Sequence, residues 1–250
     1  NAKLQINGNL KKKKLEINKF ILHEKSNKIK LVNLSLSKNN KIIKIDEANF
    51  KYTDTENKKN NFIIKKINNK DYEIIGKTFN ANSLITNLLK NDNKNTNKVF
   101  DSNFNLDINL DEVYFDKRYF VKNLKGSFFI KSNKVINSNI SAIYDVNKKI
   151  SFTINTNKNG EKITTLFSSK AKPLVNRYKF IKGFDEGYLD FYSIKKNSIS
   201  NSKINIYDFK LKELPILTKI LTLASLQGIA DLLSGEGIRF DEFEMNFKNK

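Results

Sequence analysis

The chain has 250 residues, with 46 lysines and arginines against 26 acidic residues, a net charge of +20, one histidine and no cysteine. Lack of cysteine excludes disulfides, thiolate metal sites and a cysteine nucleophile, and one histidine cannot build a His-rich metal centre. No run of apolar residues is long enough to span a bilayer as a helix.

The chain opens at Asn1 with no charged-then-apolar leader, and we expect it to be a piece of a longer polypeptide. "INGNL" (Ile6 to Leu10) sets a glycine between apolar strand residues, and "IIGKTF" (Ile74 to Phe79) and "LKGSFF" (Leu124 to Phe129) repeat the arrangement. Glycine inside a strand pattern marks a bulge or sharp bend, so each of the three is expected to be one. Repetition of such a unit suggests a sheet that grows by adding similar hairpins. "KKKK" at Lys11–Lys14 reads as a solvated turn, and His23 in "FILHEKSN" as a solvated or hydrogen-bonded strand residue.

"NANSLITNLLK" predicts a short helix near 81–90, with Asn80 or Asn82 as N-cap and Leu84, Ile85, Leu88 and Leu89 at helical spacing. The polar "KNDNKNTNK" that follows is the best linker, so we expect a division near residues 90–98. This gives a β-rich segment over 1–89 and a second over 99–250. "FNLDINLD" then puts Phe104, Leu106, Ile108 and Leu110 on one face and polar residues on the other. "ISFTINT" repeats the pattern with Ile150, Phe152 and Ile154. "KINIYDFKL" carries Ile204 and Ile206, then changes phase through Tyr207 to Phe209 and Leu211, which predicts a bulge or bend. One apolar and one polar face per strand is the mark of an antiparallel sheet covered on one side.

Near the end, an apolar run predicts a helix over 215–234, started by Pro215 and capped by Gly235. Leu223, Leu226, Ile229, Ala230 and Leu233 share one face, and Leu217, Ile220, Leu221 and Ala224 widen it. A helix apolar nearly all round is expected to be buried on several sides. Here it should lie across the end of the sheet and be the longest helix.

Residues able to do chemistry are not gathered. "SGEG" (Ser234 to Gly237) lacks the spacing of a phosphate loop and reads as a helix-capping turn. Glu236, Asp241, Glu242 and Glu244 could gather a cation, but alternation sends Asp241 and Glu242 to opposite sides. No catalytic residue, metal ligand or cofactor is assigned, and no enzyme is expected. The charge invites a nucleic-acid reading, yet only Arg118, Arg177 and Arg239 are arginines, and lysines are spread among asparagines and isoleucines. Arginine is the better bidentate reader of phosphate and guanine, so no nucleic-acid partner is expected.

"DFKLKELPILTKILTLASLQGIADLLSGEGIRFDEFEMNF" resembles the C-terminal end of AsmA-like proteins of Gram-negative bacteria, the YhdP branch in particular. Asp208-Phe209, Pro215, Leu223 to Leu226, Gly228, Asp231 to Leu233, Gly235 to Ile238 and Phe240 stand at the matching places. Upstream, "IIGKTFNANSLITNLL", the 100–135 meander and "FDEGYLDFYSI" resemble the family in the right order. The resemblance covers residues 72–247, and residues 1–71 by pattern only. Lysine and asparagine stand where many relatives carry arginine, glycine and alanine.

The resemblance implies a mainly β fold, a long curved antiparallel sheet forming an apolar groove. It implies the periplasmic part of a protein attached to the inner membrane through a segment absent here. Its ligand would be phospholipid carried between inner and outer membranes, with envelope proteins as further partners. Phe104, Leu106, Ile108, Leu110, Ile150, Phe152 and Ile154 are the candidate groove residues, all facing one side. Leu217, Leu221, Leu223, Leu226, Ile229 and Leu233 belong to the closing helix. The alternatives are a β-rich structural or interaction domain without ligand, and a basic surface binding anionic lipid or nucleic acid.

Overall fold

The computed structural model describes residues 2–11, 14–90, 103–132, 134–178, 181–213, 227, 230, 234–235 and 237–249. The chain forms two compact units, Asn1–Ala142 and Ile143–Lys250. The boundary falls inside a strand, whereas the division expected near 90–98 lies mostly outside the described residues.

The first unit holds β1 (Ala2–Lys11), β2 (Lys14–Glu24), β3 (Asn27–Ser37), β4 (Ile42–Lys44), β5 (Glu47–Thr53), β6 (Lys59–Lys66) and β7 (Asp71–Asn80). α1 (Asn82–Lys90), β8 (Phe104–Tyr114), β9 (Phe120–Lys131) and most of β10 (Lys134–Asp145) follow. The second unit holds the end of β10, then β11 (Lys148–Thr156), β12 (Lys162–Ser168), α2 (Lys172–Tyr178), β13 (Phe184–Lys196), β14 (Ile199–Leu211) and β15 (Ile238–Asn249). Among the described residues, the fifteen strands belong to one hydrogen-bonded sheet laid down in chain order, with β4 off the path, paired to β3. Asparagine abundance helps to make this meander. Asn40, Asn57 and Asn197 occupy turns at positive φ, a conformation that asparagine tolerates better than most residues.

One connection differs. β7 and β8 pair in parallel, Ile74 beside Ile108, so the chain must cross over between them. α1 lies in that crossover, over the span expected to be helical. Asn80 accepts the Asn82 N–H through its Oδ1 at 3.1 Å, capping the helix start. A polar cluster holds this corner. The Asn60 Oδ1 accepts the Asn80 N–H at 2.8 Å, and Asp54 accepts from the Asn80 and Asn60 amides at 2.7 and 3.1 Å. Burial opposes the charge of Asp54, but the Lys58 N–H, the Asn80 and Asn60 amides and the Glu56 N–H outweigh it. Its carboxyl is held below its ordinary value.

The phase change expected in β14 is a local kink and not a bulge. Asp208 has φ 50° and Gly187 on β13 φ 73°, yet the register is the same on both sides of them, Tyr207↔Tyr188 and Phe209↔Glu186. The glycines divide. Gly8 sits at a register shift, and Gly76 follows another, where Asn61 pairs with Thr78 and Phe62 with Gly76. Gly126 corrects the expectation, because it pairs regularly with Ile108. Its reason is crowding instead: an added Cβ would lie 2.9 Å from the Asn139 carbonyl oxygen.

The expected closing helix lies almost wholly outside the described residues, Leu217, Leu221, Leu223, Leu226, Ile229 and Leu233 among them. Gln227, Ala230 and Ser234 have helical backbone, and Gly235 follows at φ 69°, as a helix-terminating glycine would. Ala230, assigned to the apolar face of that helix, is exposed. No described helix is long and apolar enough to cross a membrane.

Candidate functional site

Register partners in a sheet point to the same side, so the pairings show what each face carries. In the first unit, one row runs Ile6, Phe20, Leu31, Ala48, Ile64, Ile74, Ile108, Gly126 across eight strands. The row beside it runs Leu4, Leu22, Ile29, Phe50, Phe62, Gly76, Leu110, Leu124. Neither contains a charged or hydrogen-bonding side chain. Seven interstrand spacings make each row about 33 Å long. The neighbouring row on the other face runs Asn7, Lys19, Val32, Glu47, Lys65, Glu73, Asp107, Ser127, and is mostly charged.

The apolar rows are unevenly covered. Ala48, Phe62 and Leu110 are buried, while Phe20, Leu31, Phe50, Ile64 and Ile74 are half-buried and Leu4 and Ile6 are exposed. Aromatic contacts supply part of the packing within the layer. Phe62 stacks on Phe50 at 4.9 Å and meets Phe79 edge-on at 5.0 Å. Of the expected groove residues, Phe104 is buried, with its ring 5.6 Å from Tyr72, and Leu110 is buried beside Gly76. Leu106 and Ile108 are half-buried on the same side.

The second unit has its own apolar face. Phe152, Leu166, Phe191, Ile204 and Met245 form one row, and Ile150, Ser168, Leu189, Ile206 and Phe243 the next. Ile154 heads a third row through Thr164, Ser193 and Ser202 to Phe247, where hydroxyls replace methyl groups. Ser193 and Ser202 satisfy each other at 2.8 Å. Ile150, Phe152 and Ile154 are all half-buried.

Coverage here runs along the strands. Phe184, Leu189, Ile206, Phe209 and Ile238 are buried, whereas Met245 and Phe247 are 38% and 41% exposed. α2 packs on β13 and buries Pro173, Leu174 and Val175. Sequence reading missed this helix, although Pro173 in a first turn ahead of Leu174 and Val175 signalled it. Charge fastens it: Lys172 and Lys212 donate to the two Asp185 oxygens at 2.7 and 2.8 Å. These bonds hold the Asp185 carboxyl well below the usual carboxylate range. Phe209 stacks between Phe184 and Phe240 at 5.2 and 5.3 Å, continuing the apolar face beyond Asp208.

Polar chemistry lies elsewhere. His23 is exposed on β2, and Lys14 of the lysine run pairs with Glu16. Asp241 lies between Phe240 and Glu242, which pair with Phe209 and Tyr207. Among the described residues no group of acidic or histidine side chains is arranged to hold a metal ion. No family profile, curated protein or solved structure matches the chain.

Proposed function

We propose that the chain is a lipid-carrying sheet, the periplasmic part of an inner-membrane-anchored protein that moves phospholipid between the inner and outer membranes. The observation that carries this reading is the pair of uncharged rows in the first unit, eight strands long and only partly covered. A contiguous apolar surface of that length is a liability in water unless it meets lipid, a lid or a partner. Acyl chains suit it because they need no hydrogen-bonding partner and can lie across successive strands. The opposite face, rich in lysine and glutamate, stays in water. The C-terminal resemblance to AsmA-like proteins supplies the phospholipid and the envelope setting.

Mass spectrometry of lipid co-purified with the chain tests the proposal. Phospholipid should accompany the protein, and Ile64→Asp, which puts a carboxylate in the middle of a row, should remove most of it while circular dichroism stays β-rich. Protein carrying no phospholipid, or a folded Ile64→Asp variant retaining its full load, would overturn the reading.

A further inference from the structure

Along the apolar face of the second unit, side chains grade from hydrocarbon to hydroxyl to cation. Beyond the Phe152 row lies the hydroxyl row headed by Ile154, and beyond that a row of Thr156, Lys162, Lys195, Ser200 and Asn249. Each step is two residues along a strand, so the lysines leave the backbone about 13 Å from the Phe152 row. Cover lessens in the same direction: Leu189 and Ile206 are buried, whereas Met245 and Phe247 are exposed. The Phe191 and Phe247 rings approach to 6.5 Å across β14, so the apolar surface reaches into the hydroxyl row.

Charge on this face has one sign. Lys162 and Lys195 are register partners, so their side chains leave β12 and β13 side by side, and Lys195 is exposed. Like charges directly opposite each other destabilise a sheet. No acidic residue belongs to this row or to the three before it, from β11 to β15. Asp190, Glu242 and Glu244 fall on the other side of the sheet, and Glu161 pairs with Lys196 at 3.2 Å.

We propose that this face of the second unit holds an amphiphile with an anionic phosphate headgroup, its chain on the Phe152 row and its phosphate between Lys162 and Lys195. The two cations offset the phosphate charge, and the Ser200 hydroxyl in the same row is a donor for a further oxygen. The bound anion also relieves the repulsion between the facing lysines. The inference rests on the lipid reading for the acyl chain, and adds to it the sign of the headgroup and the place where it sits.

Calorimetry of the whole chain with dodecyl phosphate, kept below its micelle concentration, tests this against dodecyl maltoside, dodecyltrimethylammonium and inorganic phosphate. Dodecyl phosphate should bind at least about tenfold more tightly than either other amphiphile. Lys162→Gln combined with Lys195→Gln should remove that preference and leave dodecyl maltoside binding unchanged. Lys203→Gln combined with Lys248→Gln, on the other side of the sheet, should alter neither. Because the facing lysines repel, the Lys162→Gln and Lys195→Gln protein should melt no lower than wild type, which separates loss of the site from loss of the fold. Maltoside binding with no preference for the phosphate would overturn the headgroup site alone, whereas no binding of any amphiphile would overturn the lipid reading with it. An equal loss in the Lys203→Gln and Lys248→Gln protein (diffuse charge), or full competition by inorganic phosphate at the same concentration (a free-anion site), would also overturn the proposal.

Discussion

Phe62 lies directly beside Gly76 across β6 and β7, and a Cβ added to Gly76 would stand 2.6 Å from the Phe62 Cβ and 2.5 Å from the Asn61 carbonyl oxygen. The glycine is the space into which the Phe50–Phe62–Phe79 cluster closes. Backbone atoms cannot yield as the end of a flexible side chain can.

Gly76→Ala is therefore expected to destabilise the first unit by about 1–3 kcal/mol through overpacking. Urea unfolding would measure it. Gly160→Ala, in a turn where an added Cβ meets nothing within 4 Å, bears only the cost of its φ of 74° and should lose less. Equal losses would show that crowding at Phe62 is not what the glycine relieves.

Asn60 is buried, and its Oδ1 is the acceptor for the Asn80 N–H. Asn60→Ala leaves that donor without its acceptor and should cost about 1–3 kcal/mol. Hydrogen exchange would show the Asn80 amide and the start of α1 losing protection, with β1 to β3 unaffected.

Phe152→Asp and replacement of Lys11–Lys14 by glutamine separate face from charge. The aspartate would put an unpaired carboxylate beside Leu166, at a desolvation cost of several kcal/mol, whereas the lysines are dispensable for a lipid surface. In the full-length protein, Phe152→Asp should weaken outer-membrane integrity far more than the lysine replacements, with both variants shown folded by circular dichroism. A defective lysine variant beside a normal, folded Phe152→Asp would make electrostatic binding the better account.

Asp185 gives the second unit an acid-sensitive fastening. Its ordinary value is 3.8 and its folded value is lower, set first by Lys172 and then by Lys212. Its stabilising contribution is therefore present above the ordinary value and is lost as pH falls through the folded value. Melting curves of wild type and Asp185→Asn should differ at about pH 6 and converge as pH falls from about 4 to 2. A constant gap would place the loss in packing rather than charge.

The strands of residues 104–111 and 150–154, the short helix before Lys90 and the phase change at Asp208 were legible locally. A side chain's face in a strand depends on its neighbours one and two places away, and a helix start on a few capping residues. Asp208 betrayed its kink because the apolar positions Ile206 and Phe209 are three apart, which an even strand cannot place on one side. Gly126 shows where local reading stops, since the neighbour that demands a glycine, Asn139, lies on the next strand. Register between strands, the parallel pairing of β7 with β8, the unit boundary within β10 and the seating of α2 on β13 are decided by contacts between residues distant in the chain. Alternation made each strand two-faced. Only the register aligned Ile6, Ile64 and Ile108 into one uncharged row, because a slip of a single residue would have turned each strand's apolar set toward water.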